Sequence, residues 1–146
     1  MIRPEEDGHT HINVYSKGRT TLGRALSNFA RRPFEHPRHG HFESIEGLWY
    51  WLSVRDDRLR SAYGFDAKKL GRSLRAADWR ADATFQRDVA EGIWAKIDAH
   101  DDIRVALQQS TLPLLHYYVF GGIVKDETAR CRWMLDIIEE KRALRV

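Results

Sequence analysis

The rhythm of hydrophobic and polar positions changes along the chain. Residues 1–40 are turn-rich, punctuated by Gly8, Gly18, Gly23, Pro33, Pro37 and Gly40, with one alternating stretch, Ile12-Asn13-Val14-Tyr15, that predicts a short half-buried strand. After Gly40 the pattern becomes helical. Ser44 is placed to cap a helix beginning at Ile45 and Glu46 and running through Trp49, Tyr50 and Trp51 toward Arg60. Asp66 offers a second cap before Ala67-Lys68-Lys69-Leu70-Gly71-Arg72, and Asp78 or Asp82 a third. In that third helix Phe85, Val89, Ile93 and Ile97 recur every four residues as a core stripe, and Lys96 falls beside the stripe instead of opposite it. Asp101 or Asp102 opens a shorter helix through Ala106 and Leu107. The segment from Leu114 to Ile123, rich in Tyr, Val and Phe, reads as a strand or a buried extended segment. Asp126 is placed to cap a last helix with Trp133, Met134, Ile137 and Ile138 inward and Arg132, Glu139, Glu140 and Arg142 outward. The expectation is an α+β, predominantly helical single domain over 1–146, with 44–142 mainly helical and a small β element.

Composition adds limits to this picture. A chain of 146 residues can bury one core, and 42% hydrophobic with 31% charged residues is ordinary for a globular protein. No apolar stretch is long enough to span a bilayer, because Leu112 to Val124 is interrupted by Pro113 and His116. Glu5, Glu6 and Asp7 replace the apolar run of a secretory signal, and the single cysteine, Cys131, suits a reducing compartment. A cytoplasmic location without membrane partners is expected. Arginine supplies 18 of the 24 cations. Its planar fork suits phosphate, so the excess favours an anionic partner, although many arginines simply solvate helix faces.

Two groups of histidines, His9 with His11 and His36 with His39 and His41, raise the question of a metal. No cysteine or carboxylate joins them at a structural-site spacing, so neither a metal nor another cofactor is expected. Cys131 is flanked by arginines but has no sequence partner for nucleophilic chemistry, and is expected to be inert.

Three segments carry a resemblance. Leu26-Ser27-Asn28-Phe29 is followed by Pro33-Phe34; Phe42-Glu43-Ser44-Ile45-Glu46 comes next; and Ala67-Lys68-Lys69-Leu70-Gly71-Arg72 precedes Asp78-Trp79, with Asp88-Val89 and Lys96 beyond. In order and spacing these are similar to the LSNF…PF, F-x-S-V-E, AKKLGR and D-V-M…K motifs of the NADAR (YbiA-like) N-glycosidase family. The likeness covers about two-thirds of the chain, from Ile12 to Leu107. The family usually follows its glutamate with His-Tyr-Tyr-Gln and then a lysine; here Gly47, Leu48, Trp49 and Tyr50 follow, and Ser53 takes the lysine position. Toward the C-terminus the family's acidic residue and Trp-Gly are replaced by His116-Tyr117-Tyr118-Val119-Phe120-Gly121-Gly122.

The resemblance implies hydrolysis of a base–ribose bond, either in a ribosylaminopyrimidine phosphate of riboflavin synthesis or in ADP-ribosylated guanine. The partner would be a phosphorylated ribosyl or ADP-ribosyl ligand, with ADP-ribosylated nucleic acid included. Such a reaction passes through an oxocarbenium-like sugar and needs a carboxylate near the anomeric carbon, or one orienting water, together with a proton donor for the leaving base. Glu46 is the catalytic candidate, since Trp49 and Tyr50 at i+3 and i+4 share its helix face; the plain alternative is a glutamate favoured by the helix dipole. For substrate binding the candidates are Asn28, Trp49, Lys68, Lys69, Arg72, Trp79 and Lys96. Trp79 would stack on the base and Lys69 leads the phosphate-gripping cations, against the alternatives of a core indole and a solvated basic face. A catalytically degenerate protein that keeps the pocket and binds an ADP-ribose-derived nucleotide or a partner is the competing reading, and a generic basic nucleic-acid-binding module the third.

Overall fold

A computed structural model describes residues 1–144. The chain divides into two compact units, one built from Met1–Ser27 together with residues 101–144, the other from Asn28–His100. The fold class is α+β and mostly helical.

In the contiguous unit, a hairpin of β2 (Phe34–His36) and β3 (Gly40–Phe42) precedes α2 (Ile45–Val54), a 3-10 turn at Asp57–Ser61, α3 (Gly64–Leu74) and α4 (Ala83–Ala99). The hairpin is antiparallel, with Phe34 opposite Phe42. Ser44 caps α2 by accepting the Gly47 N–H at 3.0 Å, and its own hydroxyl donates to the Ala62 carbonyl at 2.9 Å. That second bond brings the 3-10 turn against the first turn of α2, which is why Gly47 stands there. A Cβ at Gly47 would lie 2.4 Å from the Leu59 carbonyl oxygen. Asp82 caps α4 through the Phe85 N–H at 2.8 Å. The stripe Phe85, Val89, Ile93 and Ile97 is buried as its period requires, together with Phe34, Phe42, Ile45, Leu48 and Leu59.

Two glycines set how closely these helices approach. A Cβ on Gly71 of α3 would sit 2.0 Å from Cγ of Tyr50 on α2, and one on Gly92 of α4 would sit 2.3 Å from Cδ2 of Leu48. The backbone of α3 therefore rests directly on the Tyr50 ring.

The other unit joins the two ends of the chain. Here β1 (Ile12–Asn13) pairs in parallel with β4 (Leu114–Leu115). Around this pair lie α1 (Thr21–Leu26), α5 (Asp101–Gln109), α6 (Arg132–Leu144) and the hairpin β5 (Tyr117–Phe120) with β6 (Ile123–Asp126). Ile12, Val14, Leu22, Leu26, Ile103, Leu107, Leu114, Leu135 and Ile138 form the apolar core. A buried polar cluster runs through it. The Asn13 side chain donates to the Tyr117 carbonyl and accepts the Tyr117 N–H, both at 3.0 Å, and His11 Nε2 meets the Tyr117 hydroxyl at 2.6 Å.

Several elements differ from the sequence expectation. The first helix stops at Val54, well short of Arg60, because Arg55 turns into the left-handed region at φ 57°. Asp66 is not a cap: α3 starts at Gly64, so Asp66 lies inside its first turn. Asp126 is not the cap of the last helix either; it ends β6, and its carboxylate accepts the Thr128 N–H at 2.9 Å. On α6 the buried residues are Leu135 and Ile138, while Trp133, Met134 and Ile137 are only half-buried. Leu114 to Ile123 is split into β4, β5 and the start of β6. The 1–40 region contains α1 and the hairpin strand β2 besides its short strand. Among the described residues no helix is long and apolar enough to cross a membrane.

Candidate active site

Glu46 occupies the first turn of α2, its N–H donating to the Asn28 carbonyl at 2.9 Å. The Leu-Ser-Asn-Phe segment thus fixes the glutamate through the Asn28 backbone. The carboxyl keeps some solvent contact while protein surrounds it on nearly every side, as at the floor of a recess. Burial raises its pKa from an ordinary 4.5 to about 7, against the opposing pull of Lys68, Arg72 and Arg75. Burial outweighs the three cations because none of them reaches ion-pair distance.

Those cations come from one side of α3. Lys68, Arg72 and Arg75 follow at i, i+4 and i+7, so they form one row along the helix and just past its end. Several arginines of this unit are tied to carboxylates, as Arg31 to Glu43, Arg38 to Glu91 and Arg58 to Asp56. Lys68, Arg72 and Arg75 take part in no ion pair among the described residues; Lys68 meets only the Phe65 ring, at 6.0 Å, and Arg75 only ring faces. A row of unpaired cations beside a recessed carboxyl is a place where an anionic group is stabilised.

Aromatic rings link the elements around Glu46. Trp49 meets Phe85 edge-on at 4.8 Å between ring centroids, and Phe85 meets Trp79 at 4.9 Å, so α2, α4 and the segment before α4 share one aromatic chain. The Arg75 guanidinium lies 5.0 Å over Trp79 and 5.1 Å over Tyr50.

The structure thus brings together Asn28 (through its backbone), Glu46, Trp49, Lys68, Arg72 and Trp79. Lys69 is exposed and is not among the cations acting on Glu46, so the inward member of the Lys68-Lys69 pair is Lys68. The cause is the helix face: Ala67 and Gly71 bury against α2, and Lys69 stands about 200° around the helix from Ala67. Lys96 is buried, 2% exposed, and burial drives its pKa down to about 7, with Arg32 adding repulsion. It lies roughly 16 Å along α4 from Phe85, eleven residues at 1.5 Å each. Sequence reasoning placed Tyr50 on the Glu46 face without making it a binding candidate, and it missed Arg75, whose signal was the i+7 spacing from Lys68.

One group among the described residues has metal-ligand spacing: His36, His39 and Asp88, with ligand atoms within 4.8 Å of one another. His36 Nε2–H donates to the Asp88 carbonyl at 2.7 Å, while Nδ1 accepts the N–H groups of Arg38 at 3.0 Å and His39 at 3.3 Å. Both nitrogens are therefore engaged, and burial holds the His36 pKa below its usual value. Nε2 of His39 adds a bond to the Asp88 carboxylate at 3.1 Å. The cluster clasps the β2–β3 turn to α4, and His36 has no lone pair left for a cation. In the other unit, His116 Nδ1 donates to the Val14 carbonyl at 2.7 Å and Tyr117 is held by Asn13 and His11. The His116-Tyr117 segment is thus fixed by hydrogen bonds within its own unit.

The architecture is that of a small, mostly helical α+β protein with a carboxyl recessed among aromatics and cations. Among solved structures, it is similar over almost its whole length to the NMR structure of the E. coli protein YbiA. The TM-score is 0.65, 98% of this chain and 92% of YbiA are covered, and the sequences are 16% identical. The chain has a YbiA-like fold. No protein-family model matches the sequence, and no curated protein matches it.

Proposed function

We propose that the chain is a cytoplasmic N-glycosidase that hydrolyses the base–ribose bond of a phosphorylated ribosyl ligand. A ribosylaminopyrimidine phosphate and ADP-ribosylated guanine, free or on nucleic acid, are the two substrate classes. The observation that carries this reading is Glu46, a carboxyl titrating near neutrality between unpaired cations and an aromatic wall. In the reaction the C1′–N bond breaks with its electron pair going to the base. The ionised Glu46 carboxylate faces the positive sugar, takes a proton from the water whose oxygen bonds to C1′, and returns that proton to the base nitrogen. Water is consumed and the equation balances. A pKa near 7 suits one group to both proton transfers. Lys68 and Arg72 take the phosphate, and Trp79 the planar base.

The second reading is a binder that has lost catalysis. It is favoured by Ser53, which stands at the family's lysine position and spends its hydroxyl on the Tyr50 carbonyl at 2.8 Å. Incubating wild type and Glu46→Gln with a ribosylaminopyrimidine phosphate and with ADP-ribosylated guanine DNA separates the two. Release of base or ADP-ribose by wild type and not by the variant supports the glycosidase and identifies its substrate class. Tight binding without release moves the function to the binder.

A further inference from the structure

Trp79 is half-exposed on the segment between α3 and α4, as a base-stacking platform would be, yet one of its faces is already covered. The cover is Arg75. Its backbone ends α3, donating its N–H to the Gly71 carbonyl at 2.9 Å, and its guanidinium spans from the Tyr50 ring to the Trp79 ring at 5.1 and 5.0 Å. One of these supports is fixed: Tyr50 is buried, 4% exposed, and rests on the Gly71 backbone. The guanidinium makes no hydrogen bond or ion pair with any described residue, so only ring faces hold it. Attraction to a ring face is weaker than a charge-assisted bond to a phosphate oxygen. Lys68 and Arg72, the other two cations of the row, precede it and mark where such an oxygen would come.

We propose that Arg75 determines specificity for phosphorylated ligands by covering the stacking face of Trp79 until an anionic group draws it away. This rests on the reading of the recess as a site for a base-bearing ribosyl phosphate. A neutral nucleoside must displace the guanidinium and gives it nothing in return. A nucleotide exchanges the ring contacts of Arg75 for a phosphate contact and then stacks on the uncovered indole. Base binding becomes conditional on phosphate, although no part of Arg75 reads the base.

The test measures binding of guanosine and guanosine monophosphate to wild type, Arg75→Ala and Arg75→Lys, with acrylamide quenching of Trp79 taken as the difference from Trp79→Phe. Wild type should prefer the nucleotide by about 30-fold or more, and Arg75→Ala should tighten guanosine several-fold while weakening the nucleotide, bringing the ratio to within about threefold. Arg75→Lys keeps the charge but not the planar stack, so it should bind guanosine better and hold the nucleotide. Inorganic pyrophosphate alone should increase quenching of Trp79 in wild type and not in Arg75→Ala. A preference that Arg75→Ala leaves unchanged, or a Trp79 that pyrophosphate does not uncover, overturns the role of Arg75 and leaves the functional reading standing. Wild type that binds neither guanosine nor its monophosphate also overturns the role of Arg75, and the functional reading is then decided by the release assay alone.

Discussion

At Glu46 two influences favour the ionised form, the helix N-terminus and the cations of α3, and burial overrides them. If the ionised form starts the reaction, kcat/KM should fall as pH drops below about 7, the pKa of the free protein. Lys68→Met removes a cation that pulls this pKa down, so the same limb should move to higher pH; a limb that stays in place or moves down would exclude Glu46 as its source. Stability has the opposite sign. The folded pKa lies above the unfolded one, so this stabilisation is complete below about 4.5 and is lost as pH rises through about 7. Glu46→Gln should therefore be more stable than wild type at pH 8, by about 1–3 kcal/mol, with little difference at pH 4.5 in urea titrations. The sequence made Glu46 legible because a capping serine and flanking aromatics fix its position and face. It could not rank Lys68 above Lys69, since Leu70 looked as apt for burial as Ala67 and Gly71. It also could not show Arg75 folded back over Trp79, which depends on the course of the chain beyond α3.

At the level of elements, the α2–α3 contact depends on Gly71. Glycine inside a helix ordinarily costs about 1 kcal/mol relative to alanine. Here the methyl group would fall 2.0–2.5 Å from three atoms of the Tyr50 side chain, and that side chain is buried. Gly71→Ala should thus destabilise by about 1–3 kcal/mol in thermal or urea unfolding, and weaken ligand binding by shifting the row of Lys68, Arg72 and Arg75 relative to Glu46. A variant as stable as wild type, with equal affinity, would show that α3 is free to move away from α2. The long helices were readable in sequence because their periodicity is sustained and their caps are strong, Ser44 and Asp82 above all. The hairpin β2–β3 was not, because strands of three residues carry no alternation that stands out from a turn-rich background. Asp126 had the composition of a cap, but nothing in its neighbours reveals that it would be used to close a strand.

Across the whole molecule, the chain order separates two kinds of folding problem. The recess with Glu46 lies in residues 28–100, a continuous segment with its own core, while the other unit must bring Ile12-Asn13 to Leu114-Leu115 across more than a hundred positions. Two residue pairs of parallel strand are a small return for the entropy of that closure. Asn13 supplies the rest: its buried amide reproduces a strand-like exchange with both backbone groups of Tyr117. Asn13→Ala leaves the N–H and carbonyl of Tyr117 without those partners, a cost of about 2–4 kcal/mol. Hydrogen exchange should then show protection falling across residues 1–27 and 101–144 while α2 and α4 keep theirs. Asn13→Asp retains the acceptor for the Tyr117 N–H but replaces the donor with a second oxygen facing the Tyr117 carbonyl, so it should rescue little. Uniform loss of protection over both units would mean that they unfold as one cooperative body and that Asn13 holds the whole chain, not only its joined ends.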